Sequence, residues 1–283
     1  MVTLRGRVHG LDLLPGSLRL ATLAAEPGRM LIESLQELPE RELCRDRFDA
    51  HAELYFAVPD AQAVVKLVKP PNDPTLNADK TALFELLTAL PEEADHYFLE
   101  TYALNGCPQR LAVAYHRKLV EEQIERLEIA VIRPSGFRLR SLALAEGYRK
   151  FCRPLGGDLV CLLHIDRHQT LLAFLNHGVT VATGFLECSF PDADDSAAMK
   201  SALIDIAALV RYRNSLLFKE GFTAPLSLVI LCGERADTTI AEPLSQLLRV
   251  KIAFPEFRTE LFADSAANPS ALFLVGLGLT VVS

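Results

Sequence analysis

The sequence predicts an α/β protein built from two similar halves. Its 283 residues are half hydrophobic, which is enough to bury one large core or two moderate ones. Two stretches of the sequence share one order of features: an apolar strand, a carboxylate, a turn and another apolar strand. These stretches are GLDLLPGSLRLATL in the first half, and DLVCLLHID followed by TLLAFLNHG in the second. Between them CRPLGGD, residues 152 to 158, is a candidate hinge. We therefore expect two domains, residues 1 to 153 and 154 to 283.

The first half begins with a predicted antiparallel meander. VTLRGRVHGLDLL, SLRLATLAA and MLIESLQEL are apolar-rich segments separated by two Pro-Gly pairs, which are typical of tight turns. LYFAVP and AVVKLVK predict two more strands, followed by the proline-rich loop PPNDPTLNAD. Asp79 is the predicted cap of a helix over KTALFELLTAL, which Pro91 ends.

The remainder of this half alternates strands and helices. HYFLETYAL and RLAVAYH predict two strands, and FRLRSLALAEGYRKF closes the half. KLVEEQIERLEIAV between them predicts a helix, because its apolar residues recur at helical spacing on one face: Val120, Ile124, Leu127 and Val131.

The second half repeats three strands and then continues with helices. VTVATGFLE is its third strand, and LSLVILCG and VKIAF are later ones, with a helix between them that ends near Leu248. MKSALIDIAALVRYRNSLLF predicts a long helix whose apolar face holds Leu203, Ile206, Val210 and Leu217. Asn268 caps a last predicted helix, with Pro269 at its first position. Gly276 and Gly278 in this helix indicate close packing on a neighbour.

Charge and hydropathy exclude some functions. The formal net charge is −7 with acids and bases interspersed, which argues against a nucleic-acid surface, since that needs clustered Lys and Arg. The opening MVTLRGRVHG lacks the apolar core of a secretory signal. The longest apolar run, ALFLVGLGLTVV, is shorter than the roughly 20 residues of a membrane span. We expect a cytoplasmic protein without direct membrane insertion.

The six cysteines show no C-x-x-C spacing, and two of them lie in apolar strand-like runs. We expect reduced core thiols in a cytosolic protein at Cys44, Cys107, Cys152, Cys161, Cys188 and Cys232.

One histidine-rich stretch has two interpretations. His164, Asp166 and His168 alternate along a strand, and His177 lies on the next strand, so these side chains could ligate zinc. The alternative, a hydrogen-bonded histidine at a strand end, is the default, because apolar residues surround His164 and the turn begins at Asp166. The serine nucleophile elbow, the H-E-x-x-H motif and the P-loop motif do not occur in the sequence.

The order of these parts resembles the actin-like ATPase superfamily, a ribonuclease H-like two-domain fold, and within it the PilM family of type IV pilus assembly. GLDLLPGSLRLATL resembles that family's opening G-x-D-I-G-S-S-S-x-K-x-V, and YFAVPDAQAVVKLVKPP resembles its A-x-P segment. LAVAYHRKLVEEQIERLEIAVIRPSGFRLRSLAL and LFLVGLGLTV resemble a later block and the terminal helix. The resemblance implies a small inserted α+β subdomain, as in FtsA, within residues of about 50 to 150.

The resemblance also implies where a nucleotide and its Mg²⁺ would lie, in a cleft between the domains against two hairpin loops. The residues that it assigns to nucleotide binding are Asp12, Gly16, Ser17 and Arg19 in the first loop, Asp166, Gln169 and Thr170 in the second, and Gly233 in the adenosine segment.

All three of these elements depart from the family pattern. Leu14 replaces a glycine, and Pro15 after it has no N–H to offer a phosphate. The second loop has lost its glycine and is shorter, and of three adenosine glycines only Gly233 remains, followed by Glu234, whose carboxylate would lie near the base or ribose. With nucleotide chemistry weakened or lost, Arg19 could pair with Asp12 or Asp166. Alternatively, Asp12 is a turn carboxylate that caps Gly16 or Ser17.

Two functions follow from the resemblance. The first is a scaffold of type IV pilus or type II secretion assembly, related to the GspL cytoplasmic region, without a cofactor, a metal or catalysis. It would bind the cytoplasmic N-terminal tail of a PilN-like single-span inner-membrane protein, lie at the membrane through that partner, and contact a motor ATPase. The alternative is an active Mg-ATP-dependent ATPase or kinase that uses Asp12 and Asp166.

Overall fold

A computed structural model describes residues 6–26, 29–49, 51–71, 73, 75–104, 109–187, 190, 196–263 and 270–281. The predicted cap Asn268, the following Pro269, Cys107, Cys188 and the second Pro-Gly turn lie outside the described residues. The described strands are β1 Gly6–Leu14, β2 Ser17–Glu26, β3 Arg29–Pro39, β4 Glu53–Val58, β5 Val64–Val68, β6 Tyr97–Ala103, β7 Arg110–His116, β8 Gly136–Leu139, β9 Leu159–Ile165, β10 Gln169–Asn176, β11 Val179–Glu187, β12 Leu226–Cys232 and β13 Lys251–Ala253. The described helices are α1 Ala78–Leu87, α2 Arg117–Ile129, α3 Arg140–Phe151, α4 Ser196–Lys219, α5 Thr238–Leu248 and α6 Leu274–Leu279.

Two five-stranded sheets repeat the same topology. Their strand orders are β3-β2-β1-β4-β8 and β11-β10-β9-β12-β13. In each sheet the first three strands along the chain form an antiparallel meander, and the other two run parallel to the first. The predicted repeat is thus a repeat of whole sheets, and the candidate hinge at 152 to 158 lies between them.

A smaller unit is inserted between β4 and β8. Strands β5, β7 and β6 form a three-stranded antiparallel sheet, and α1 packs on it through Ala82 and Leu86. One of its side chains, Leu67, packs against the apolar cores of both the first and the second half. This α+β unit therefore also contacts the second half.

Helices α3 and α6 join the two halves and pack so closely that their backbones are in contact. A Cβ built on Gly278 would lie 1.7 Å from the carbonyl oxygen of Ala143, and one on Gly147 would lie 2.0 Å from that of Leu274. The same helix meets β1, where a Cβ on Gly10 would lie 1.9 Å from the oxygen of Gly276. The predicted close packing of the terminal glycines is confirmed, because any side chain at Gly278 would overlap main-chain atoms.

Some local predictions were wrong. Asn77, not Asp79, caps α1, because its side chain accepts hydrogen bonds from the backbone N–H groups of Asp79 and Lys80. The apolar face of α2 stops short of Val131, which follows the helix end with a φ of 60° and is exposed. Cys44 is also exposed, whereas Cys152, Cys161 and Cys232 are buried free thiols as expected.

None of the helices in the described part of the chain combines the length and the apolar character that a membrane span needs.

Candidate interdomain site

The first β-hairpins of the two halves meet at a cleft of about 400 Å³. Pro15 and Gly16 form the two-residue turn between β1 and β2, and Gly16 has a φ of 76°, which glycine adopts without strain. The corresponding turn between β9 and β10 spans residues 166 to 169. A backbone hydrogen bond of 2.9 Å joins its ends, from the N–H of Asp166 to the carbonyl oxygen of Gln169.

Two buried arginines neutralise two buried aspartates at the base of this cleft. Arg140, at the start of α3, binds Asp12 through two hydrogen bonds, Nε to Oδ1 at 2.8 Å and Nη2 to Oδ2 at 2.9 Å. Its Nη2 also lies 3.1 Å from Asp166 Oδ2, and Arg19 Nη1 lies 3.0 Å from Asp166 Oδ1. None of these four side chains exposes more than 5% of its surface. The paired charges balance within the site, as buried ions require.

The more exposed carboxylates of Glu37 and Glu234 and the fully buried His164 complete the network. Arg19 donates from Nε to Glu37 at 3.3 Å, and its Nη2 lies 3.8 Å from the carboxylate of Glu234. His164 Nε2 is 3.1 Å from Asp166 Oδ1, and the backbone N–H of Glu234 lies 3.4 Å from the same oxygen. Asp12 and Arg19 come from the first half and Asp166 and Glu234 from the second, so the network connects the two halves.

Charge pairing outweighs burial at these groups. Burial raises the pKa of a carboxyl, but His164, Arg140 and Arg19 outweigh this effect and hold the pKa of Asp166 well below its usual range. Burial lowers the pKa of a guanidinium, yet the carboxylates of Asp12 and Asp166 raise the pKa of Arg140 above its usual value. Both groups are therefore charged at neutral pH.

These residues do not fit a hydrated Mg²⁺. Both oxygens of Asp12 accept hydrogen bonds from Arg140, and both oxygens of Asp166 accept from Arg140 or Arg19. To coordinate a dication, these carboxylate oxygens would have to give up their hydrogen bonds from the arginines. The ion would then lie against two buried, positively charged guanidinium groups.

The hairpins do not fit a phosphate chain either. Pro15 has no N–H, and the N–H of Gly16 donates to the carboxylate of Glu40 at 3.3 Å, which places a negative charge where a phosphate would approach. The second turn, residues 166 to 169, contains no residue with a positive φ, so its amides do not form an anion-binding nest.

Several solved structures share this architecture. A chain of the PilM–PilN type IV pilus biogenesis complex has a TM-score of 0.72 at 16% identity, with 99% of this chain and 98% of that chain covered. The cytoplasmic domain of EpsL, an inner-membrane component of the type II secretion system of Vibrio cholerae, has a TM-score of 0.54 at 10% identity, with 94% and 98% covered. A Bacteroides thetaiotaomicron protein with an actin-like ATPase fold also has 0.54 at 10% identity, with 88% and 90% covered.

This chain has the actin-like ATPase fold. The fold predicted from the sequence motifs is thereby confirmed. No known protein-family profile and no curated protein matches the sequence itself, so the likeness lies in the fold.

The residues assigned to nucleotide from the sequence fall into two groups in this actin-like fold. Three of them join the buried charge network: Asp12, Arg19 and Asp166. Of the two pairings considered for Arg19, the structure shows the one with Asp166, and Asp12 pairs with Arg140 instead.

The others lie at the rim or in the strands. Gly16, Ser17 and Gln169 line the cleft, whereas Thr170 is fully buried in β10. Gly233 is adjacent to the end of β9, where a Cβ would lie 2.5 Å from the backbone oxygen of Ile165, and its φ is 100°, so close packing and backbone conformation account for this glycine.

Arg140 is the main residue that the sequence analysis missed. It begins α3, whose next residues Leu142, Ala143 and Leu144 are buried on successive faces. A helix that is apolar all round is buried, and an arginine at its first position therefore needs an acidic partner. That pattern in RSLALAEG was the available signal, although it does not say which acid is the partner.

The zinc interpretation of the histidine-rich stretch does not gain support. His164 is buried on Asp166, whereas His168 lines the cleft and His177 is exposed beside Asp158 at 3.8 Å. Among the described residues no group of three or more metal-ligating side chains comes together.

A third buried acid supports the start of α3. Asp60 accepts hydrogen bonds from the backbone N–H of Ser141 at 3.1 Å and from its hydroxyl, next to Arg140. Burial raises the pKa of Asp60 to about 6, although these hydrogen bonds and Arg140 act in the opposite direction.

This raised pKa predicts a pH dependence of stability. The pKa of Asp60 is 3.8 in the unfolded state and about 6 in the native state, so the native state binds the proton more tightly. The contribution of Asp60 to the free energy of unfolding should therefore fall as pH rises from 3.8 to about 6. Asp60→Asn has no such proton and keeps an acceptor for Ser141. Relative to this variant, the wild type should lose on the order of 2 kcal/mol between pH 4.5 and 7 in urea unfolding.

The exposed helix residue Asp205, changed to Asn, is the control, and its unfolding free energy should follow the wild type at every pH. Parallel curves for the wild type and Asp60→Asn would contradict the raised pKa.

Proposed function

We propose that this actin-like protein is an assembly scaffold of the PilM type that does not hydrolyse nucleotide. The observation that carries this proposal is the cleft itself, where Arg19 and Arg140 take the oxygens of Asp12 and Asp166 that a Mg-nucleotide would need. The fold is retained around a site filled by the protein's own charges. The proposed function therefore depends on the outer surface of the protein, which binds other proteins.

The partner that we propose is a PilN-like single-span inner-membrane protein, bound through its cytoplasmic N-terminal tail. This rests on likeness in fold to a chain of the PilM–PilN complex, supported by the likeness to the cytoplasmic domain of EpsL, an inner-membrane component of the type II secretion system. The protein would then lie in the cytoplasm at the inner membrane, held there by its partner, and would contact a pilus or secretion motor ATPase.

Thermal unfolding with and without Mg-ATP tests the cleft. We expect an unchanged midpoint at millimolar Mg-ATP, because neither the metal nor the phosphates fit. A ligand present at 100 times its Kd would add about 2.7 kcal/mol of stability, equivalent to several degrees. A shift of that size, abolished by Asp166→Asn, would favour the alternative of an active ATPase or kinase.

Capture from detergent-solubilised inner membranes of the native host tests the partner. We expect one single-span protein to be retained, and its retention to be lost when its cytoplasmic N-terminal residues are removed. Retention that survives this truncation, or recovery only of proteins without a membrane span, would contradict the scaffold role.

A further inference from the structure

A second cavity, of about 250 Å³, adjoins the cleft at the tips of the β1–β2 and β9–β10 hairpins. The first half contributes the turn residue Pro15, the loop after β4, and side chains of α2 and α3. The second half contributes the β9–β10 turn and Phe185 of β11. Leu14, Pro15, His168 and Gln169 line both the cavity and the cleft, and Arg140 of the charge network also reaches the cavity.

Arg140 lines this cavity with one donor unused. Its Nε and Nη2 are bonded to Asp12 and Asp166, but its Nη1 is buried and has no hydrogen-bond partner. A buried guanidinium N–H without an acceptor is unfavourable, because its lost hydration is not replaced by a hydrogen bond. A ligand acceptor that reached Nη1 from the cavity would remove that penalty.

Further donors line the same cavity. The side-chain oxygen of Gln123 accepts from Arg126 at 2.9 Å, which leaves the amide N–H₂ of Gln123 to donate. His168 and Gln169 contribute an imidazole and an amide from the second half. Glu187, an exposed residue, is the one acid among the residues that line the cavity in the described part of the chain.

The remaining walls are apolar and include Leu13, Pro59, Ala61 and Phe185. Apolar walls with a few converging donors are typical of small-molecule sites, and the volume is below the roughly 300–1,000 Å³ of drug-sized pockets. We propose that this cavity binds a small organic carboxylate of about four to six carbons, with its carboxylate on Arg140 Nη1 and Gln123 and its hydrocarbon part against Phe185. The ligand would contact both halves and hold them together.

Pentanoate is the probe, and pentanamide, inorganic phosphate and sodium chloride at equal concentration are its comparisons. We expect pentanoate to raise the thermal midpoint saturably by about 2–4 °C, and the other three to leave it within 0–1 °C of the ligand-free value. A dipeptide with a free C-terminal carboxylate tests whether the cavity instead binds the end of a polypeptide chain. The dipeptide is too large for the cavity and should not shift the thermal midpoint.

Two matched variants place the effect in this cavity. Ala61→Leu fills it without changing a charge and should abolish the pentanoate shift, whereas Ala208→Leu, on the exposed face of α4, should retain it. Gln123→Leu should weaken apparent affinity by about 5–10-fold through the loss of one donor. The absence of a pentanoate shift, an equal shift with phosphate or pentanamide, or a shift that survives Ala61→Leu would overturn the proposal.

Discussion

Replacing Arg140 by Met should lower the free energy of unfolding by about 3–5 kcal/mol. Arg140 provides both hydrogen bonds that Asp12 accepts from a cation, and Arg19 contacts Asp166 instead. The substitution therefore leaves the fully buried Asp12 as a charge without a partner, which is the costly case for buried ions. Urea unfolding at pH 7 measures the loss.

A double substitution separates lost charge pairing from lost packing. Asp12→Asn in the Arg140→Met background removes the unpaired charge, so we expect recovery of more than half of the lost stability. Arg149→Met is the matched control, because Arg149 is an exposed arginine paired with Glu146, and should change stability by less than about 1 kcal/mol. A loss for Arg140→Met no larger than that of the control would contradict a buried network.

Gly278→Ala should cost about 3 kcal/mol, although alanine favours a helix over glycine by about 1 kcal/mol. The added Cβ would lie 1.7 Å from a main-chain oxygen of α3, and backbone cannot move aside as a flexible side chain can. Thermal and urea unfolding both measure this loss.

A graded series serves as the control. Gly276→Ala brings its Cβ only to 3.2 Å from the nearest atom and should cost less, and Gly156→Ala meets nothing within 4 Å and should stay within about 0.5 kcal/mol of the wild type. Equal effects at all three glycines would show that loss of a glycine as such, and not the helix crossing, determines stability.

Much of the fold was predictable because its signals are local. A Pro-Gly pair between two apolar runs is enough to place a hairpin, and the strand-acid-turn-strand order recurs in both halves within about 15 residues. The two glycines of α6 indicated a close contact on the same ground, since glycine in a helix needs a packing reason.

The site was less predictable because its contacts are distant in the chain. Asp12 and Arg140 are 128 positions apart, and Arg19 and Asp166 are 147 apart. The sequence showed that each phosphate loop has lost a glycine of the family pattern and that Pro15 offers no N–H, but not which side chains fill the site. The choice of Arg140 as partner depends on how α3 begins beside β1, which no local pattern specifies.

The charges that connect the two halves all belong to the polypeptide. In this arrangement none of them has to be supplied by the cell, so under the proposed scaffold function the contact between the two halves would not depend on the ratio of ATP to ADP. We therefore expect the protein to present the same surface to its neighbours in growing and in starved cells.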